Sequence, residues 1–215
     1  MKFIIANWKM NMNLTSLTEW LEKFNELSKG EVFKSKVIIA PSFVHIPLVK
    51  EKLHNVAVSA QDIDLEPKGA HTGSVGAEEL VDFCTFCIVG HSERHEAQET
   101  VLKKRDACLE FGITPITCFV NPTDITKVQK GGTIVAWEDP ANISVNGVYK
   151  PKDTVDIVKQ FNYFNSLGLS AIYGGSVSRQ NAYELANISG LEGVLVGNAS
   201  LDAQHFFDIV KAFER

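Results

Sequence analysis

The chain has 215 residues, 45% of them hydrophobic, and a formal net charge of −5 at pH 7; that length suits one barrel-sized domain. The acidic balance, with no arginine-rich run or long basic face, argues against nucleic acid as a partner. No apolar run reaches the roughly 18 residues of a membrane span, and Met1 to Asn7 lacks the apolar core and cleavage pattern of a secretory signal, so a cytoplasmic protein is expected.

The apolar run at 2–6 reads as a first strand. Asn13 or Thr15 caps a helix that carries Leu17, Trp20, Leu21, Phe24 and Leu27 at three- and four-residue spacing, and Gly30 lies past its end. Strands follow at 36–40, 56–60, 86–89, 113–118, 133–137, 170–173 and 193–197. Helices are expected over Thr100 to Phe111, Lys152 to Leu167, Ser178 to Asn187 and Leu201 to Phe213. Two connections are thin: 41–48 permits only a short helix, and 121–132 leaves room for about two turns. Strands alternating with helices imply a parallel sheet. Eight such runs favour a closed barrel over an open doubly wound sheet. No linker rich in Gly, Pro or Ser divides the chain, so a single α/β domain over 1–215 is expected.

The cysteines are Cys84, Cys87, Cys108 and Cys118. Cys84 and Cys87 have a spacing that, taken alone, suits zinc or redox chemistry. They run straight into an apolar strand, however, and no second Cys or His pair sits at a finger-like distance. Reduced, buried or half-buried thiols are the expectation, with no metal site.

Candidate chemistry lies where strands end. Asn7-Trp8-Lys9-Met10-Asn11 follows the first strand. In a β/α protein the carboxyl end of a strand is where ligands meet the chain, and a lysine there suits an anion such as a phosphate ester. Gly90-His91-Ser92-Glu93-Arg94 ends the fourth strand, where Ser92 can cap a short helix. The positive end of that helix would lower the pKa of His91 and keep it neutral, able to donate to a carbonyl. Ala136-Trp137-Glu138 ends the sixth strand in a carboxylate, and an apolar wall at Trp137 would raise its pKa toward that of a useful base. The segment after Pro140 is uncharged through Val148 and has the small, turn-compatible residues of a mobile lid. Tyr173-Gly174-Gly175-Ser176-Val177 and Val194-Leu195-Val196-Gly197-Asn198 place glycine turns at consecutive strand ends. Such turns let backbone N–H groups approach a phosphate.

Taken together and in this order, these blocks resemble the triosephosphate isomerase family over nearly the whole chain. Gln61-Asp62 and Gly69-Ala70-His71-Thr72-Gly73 resemble its third loop, which docks into a neighbouring subunit. The resemblance implies a (β/α)8 TIM barrel with a shortened connection between strands five and six. It implies interconversion of dihydroxyacetone phosphate and glyceraldehyde 3-phosphate, a step of glycolysis and gluconeogenesis, without cofactor or metal. Glu138 would move the proton and His91 would polarise the carbonyl. Lys9 would stabilise the oxyanion and help bind phosphate, Asn7 would bind substrate and hold Lys9, and Glu93 would orient both Lys9 and the histidine region. Ser176, Gly197 and Asn198 would give N–H groups to the phosphate, with Ser144 completing the ring from the lid. Gln61 and Thr72 would lie at the interface of a homodimer, Thr72 at the tip. The short 121–132 segment resembles compact archaeal-type members, some of them tetramers.

The lid departs most from the family pattern. Members place Pro directly after the base, then Val-Trp or a Pro-Glu-Leu variant, and later Ile-Gly-Thr-Gly. Here Asp139, Pro140, Ala141, Asn142, Ile143, Ser144, Val145 and Asn146 follow Glu138. Asp139 adds a negative charge that would raise the pKa of Glu138 or repel the phosphate. Asn198 stands where a second Gly is usual, and Asn tolerates left-handed geometry. Two alternatives remain open at this point. One is another sugar-phosphate isomerase or epimerase, which the His91 and Glu138 pair argues against. The other is a barrel that binds phosphorylated metabolites with little turnover.

Overall fold

The computed structural model describes residues 1–142 and 150–214. Among them, eight parallel strands close into a barrel in sequence order: β1 (Phe3–Asn7), β2 (Lys36–Ala40), β3 (Ala57–Ala60), β4 (Phe86–Val89), β5 (Thr114–Phe119), β6 (Ile134–Trp137), β7 (Ala171–Tyr173) and β8 (Leu191–Val196). The expected strand positions hold to within one or two residues. Around them lie α1 (Leu14–Leu27), α2 (Ile46–Lys52), α3 (Ala77–Leu80), α4 (Gln98–Glu110), α5 (Ile125–Val128), α6 (Thr154–Ser166), α7 (Ala182–Ala186) and α8 (Ala203–Phe213). No helix among the described residues is long and apolar enough to cross a membrane.

Side chains alternate across each strand, so every strand supplies two layers. Ile5, Ile38, Ile88, Ile116, Ala136, Ile172 and Leu195 fill the barrel interior. Their neighbours Ile4, Ile39, Val89, Phe119, Trp137, Tyr173 and Val196 pack outward beneath the helices. Asn13 rather than Thr15 caps α1: its Oδ1 accepts the Ser16 N–H at 2.9 Å, and Ser16 Oγ accepts the Asn13 N–H at 3.1 Å. Leu17, Trp20, Leu21 and Phe24 are buried as their spacing predicts, while Leu27 is half-buried.

One element differs from expectation and one thin connection holds. Helix is confined to α7 within 178–187, because the Asn181 side chain accepts the Ser178 N–H at 2.9 Å and holds a turn there instead. The 121–132 connection holds a 3-10 turn over Pro122–Asp124 and then α5, so the outer ring is thin at this point, as anticipated. Gly193 has φ +145, and a Cβ there would lie 1.9 Å from the Phe3 carbonyl oxygen. Only glycine lets β8 approach β1 closely enough to shut the barrel.

All four cysteines are free and buried. Nearby, Asp62 at the end of β3 accepts Lys104 Nζ of α4 at 2.8 Å and Arg94 at 2.7 Å, and Lys104 also reaches Glu96 at 2.6 Å. This buried network ties the loop after β3 to the loop after β4. Lys104→Met leaves Asp62 and Glu96 without their buried cation, with only the half-exposed Arg94 beside them. Breaking a buried pair in this way costs about 3 kcal/mol or more, and urea unfolding should show that loss.

Candidate active site

The functional side chains converge at the carboxyl end of the barrel. Lys9 follows β1 with φ +52, a left-handed conformation rare for lysine. Bonds on both sides hold it there: its N–H donates to Asn7 Oδ1 at 3.1 Å, and the Gln61 amide donates to its carbonyl at 3.0 Å. Lys9 Nζ meets Glu93 Oε1 at 2.6 Å. Asn7 is buried and Glu93 is exposed.

His91, and not Ser92, caps the 3-10 turn over Ser92–Arg94, its Nδ1 accepting the Glu93 N–H at 3.2 Å. A ring nitrogen that accepts carries no proton, so this bond assigns the neutral tautomer with hydrogen on Nε2. Nε2 lies 3.0 Å from Glu138 Oε1. The Ser92 N–H donates to Glu138 Oε2 at 2.8 Å.

Glu138 is 1% exposed. Burial pushes its carboxyl above the ordinary range, partly offset by His91, the Ser92 amide and Lys9. Two expectations are corrected here. Trp137 is not the wall against Glu138: consecutive strand residues face opposite sides, and its ring packs outward on Phe161, Phe164 and Tyr173. Nor is Asp139 a free charge beside the base, because its Oδ2 pairs with Lys152 Nζ at 2.8 Å. Residues that the sequence reading passed over also touch the base. Cys118 on β5 lies against Glu138, and its thiol is held well above the usual range, first by burial. A Cβ on Gly174 would come within 2.9 Å of Glu138 Cγ, so this glycine makes room for the side chain. No sequence signal marks Cys118: its place follows from the strand register, in which β5 pairs Cys118 with Ala136 and period two puts Glu138 on that same inner face.

A cavity of about 650 Å³ opens beside this group. Asn7, Lys9, His91 and Glu138 line one side, and Gly174 to Val177 with Gly197 to Ala199 line the other. It extends to Gln180, Asp202 and His205, which no motif had marked. The Ser176 N–H is engaged, donating to the Asn142 carbonyl at 2.8 Å, and Ser176 Oγ donates to the same oxygen at 2.7 Å. Asn198 begins a 3-10 turn with φ outside the left-handed region, so its tolerance of that geometry is not used.

Of the lid, Asp139 accepts the Ala141 N–H at 3.0 Å through Oδ1 and opens a 3-10 turn over Pro140–Asn142. Ile143, Ser144, Val145 and Asn146 lie outside the described residues. Thr72 is exposed in the loop between β3 and α3. The base of that loop is better anchored than its composition suggested. Ile63 and Ala77 are buried, and Asp64 exchanges hydrogen bonds of 2.9 Å with Val75. Gln61 spends its amide within the chain, donating to Lys9 and Ala40 carbonyls.

A buried carboxylate on a neutral imidazole, beside an ammonium group at the mouth of a parallel barrel, defines a β/α-barrel acid–base site suited to a small anion. A profile of the triosephosphate isomerase family matches residues 2–213. The triosephosphate isomerases of Wolbachia pipientis wMel and Legionella pneumophila strain Paris are 31% and 32% identical to it, with 99% and 98% of this chain and 94% and 98% of theirs covered. The crystal structure of triosephosphate isomerase from Bartonella henselae superposes with a TM-score of 0.81 at 22% identity, over 100% of this chain and 99% of that one. The chain belongs to the triosephosphate isomerase family and is an isomerase.

Folding raises the carboxyl pKa of Glu138, so the folded state holds that proton more tightly than the unfolded chain. The resulting stability is fully present below the unfolded value, about 4.3, and is lost as pH rises through the folded one. Glu138→Gln does not titrate. It should therefore melt higher than the parent at pH 7, with the advantage shrinking as pH falls toward about 4; calorimetry across pH measures this.

Proposed function

We propose that Glu138 moves the proton in the interconversion of dihydroxyacetone phosphate and glyceraldehyde 3-phosphate that family membership gives this chain. The 3.0 Å approach of Glu138 Oε1 to Nε2 of a neutral His91 carries the reading. It pairs a raised-pKa carboxylate with an imidazole able to donate but not already charged. Substrate entering between them accepts a hydrogen bond from Nε2 at its carbonyl oxygen and presents the adjacent C–H to Glu138. Lys9 faces the same cavity and stabilises the oxyanion that develops. Asn7 braces Lys9 from the main chain, and Glu93 holds its ammonium while its own N–H orients His91.

The phosphate sits across the cavity at the Ser176, Gly197 and Asn198 turns, and Ser144 is the lid residue assigned to it. Ser176 must then exchange the Asn142 carbonyl for a phosphate oxygen. The reaction uses no cofactor or metal. The chain acts as one domain in the cytoplasm, as a homodimer with room at the short 121–132 segment for a tetramer. Thr72 at the exposed loop tip is the docking residue.

A coupled assay with glyceraldehyde 3-phosphate tests the chemistry, because a barrel that only binds phosphate forms no product. Glu138→Asp withdraws the carboxylate by one methylene, and a misplacement of that size costs roughly a hundredfold in kcat. Activity within about threefold of the parent would remove Glu138 from the role. Thr72→Arg places a charge in a desolvated contact and should give a monomer of reduced activity by light scattering and assay. A fully active monomer at micromolar concentration refutes the link between assembly and catalysis.

A further inference from the structure

Lys152 touches the residues on both sides of Glu138. Its Nζ lies 2.8 Å from Asp139 Oδ2 and 5.9 Å from the centroid of the Trp137 ring. Both members of the ion pair are half-buried, with side chains 22% exposed. The main chain is pinned up to the base: the Gly174 N–H donates to the Trp137 carbonyl at 2.8 Å, and the Glu138 N–H donates to the Phe119 carbonyl at 2.9 Å. Beyond Glu138 the sheet ladder ends. There Lys152 takes over, from the residue just before Asp153, which caps α6 by accepting the Val155 N–H at 2.8 Å. The base is thereby tied on its far side to the start of a helix.

We propose that Lys152 is a positioning residue for Glu138, holding the Trp137-Glu138-Asp139 turn and cancelling the Asp139 charge next to the base. It touches no substrate. The proposal rests on Glu138 being the base. The groups facing Glu138 are His91 from the end of β4, Lys9 from the end of β1 and Cys118 from β5. Those around Lys152 are Asp139, and Asp156, Lys159 and Tyr163 of α6, which line the same cavity of about 610 Å³ behind Trp137. Without the Lys152 ammonium, the Asp139 carboxylate is a second negative charge one residue from Glu138. Like charge disfavours ionisation of the base. A half-exposed ion pair adds little to stability, so function, more than melting temperature, should register its loss.

The experiment compares kcat, KM and the pH dependence of kcat/KM for the parent, Lys152→Met, Lys152→Arg, Asp139→Asn and the double variant Lys152→Met/Asp139→Asn. Glu138→Asp runs in the same assay. Substrate ionisation is common to all, so differences between variants report the enzyme. Lys152→Met should move the acid limb of kcat/KM upward by roughly half a pH unit and lower kcat by about tenfold, with KM changed less. Lys152→Arg should recover both, and the double variant should return the limb to its parental position. An unmoved limb and unchanged kcat in Lys152→Met overturn the proposal. So does a loss that the double variant shares in full with no movement of the limb. If Lys152→Met does not fold, Asp139→Asn carries the test with opposite sign: a downward limb supports the proposal, and an unmoved or upward limb overturns it. If Glu138→Asp keeps full activity, the base assignment has failed. If Glu138→Asp is crippled and Lys152→Met is not, only the role of Lys152 has failed.

Discussion

Burial of one carboxylate organises the rest of this molecule's chemistry. A carboxylate taken out of water loses its hydration and resists ionisation unless the protein supplies donors. Glu138 receives the N–H of Ser92 and lies 3.0 Å from His91 Nε2. Both are in place because His91 spends Nδ1 on the Glu93 amide and because the chain turns sharply after β4. Gly174 leaves the volume that the side chain occupies. The compensation is incomplete, so the group keeps a raised pKa. That residual cost of ionisation suits a base, which must accept a proton from carbon and return it.

The barrel makes these contacts possible. Glu138 and its neighbours at 91 and 92 come from β6 and β4, while Lys9 leaves β1 and the glycine turns leave β7 and β8. In an extended chain they are far apart. Closure of a parallel sheet brings all eight carboxyl ends to one rim, and closure itself depends on the glycine at 193 where β8 crosses Phe3. The inner layer also sets what lies beneath the carboxylate, which is why a cysteine on β5 touches a glutamate after β6.

At the opposite wall, the described start of the lid already touches the glycine-turn side of the cavity. The Asn142 carbonyl takes both the N–H and the hydroxyl of Ser176. A hydrogen bond exchanged for another of similar strength changes free energy little. An anion that competes for this N–H is therefore coupled to the turn over Pro140–Asn142 without a large barrier in binding energy. The Asp139–Lys152 pair lies at the other end of that turn, so one short stretch of chain adjoins both Glu138 and Ser176.

Much of this was written locally. The eight strand runs, the Asn13 cap and the apolar stripe of α1 follow from spacing, because strand and helix periods differ and a buried face must repeat with one or the other. Lys9, His91, Glu138 and the two glycine turns were legible because ligand-facing residues of a β/α fold sit where strands stop. What the sequence could not determine depends on which face a residue turns to and on partners distant in the chain. Trp137 adjoins Glu138 in sequence yet faces the helices. Asp139 reads as an uncompensated charge until Lys152, from the start of another element, is folded against it. Cys118 looked like ordinary core, and Gly174 like an ordinary turn. Sequence order carries local conformation, but electrostatic environment is set by distance in space, and only the closed barrel decides those distances.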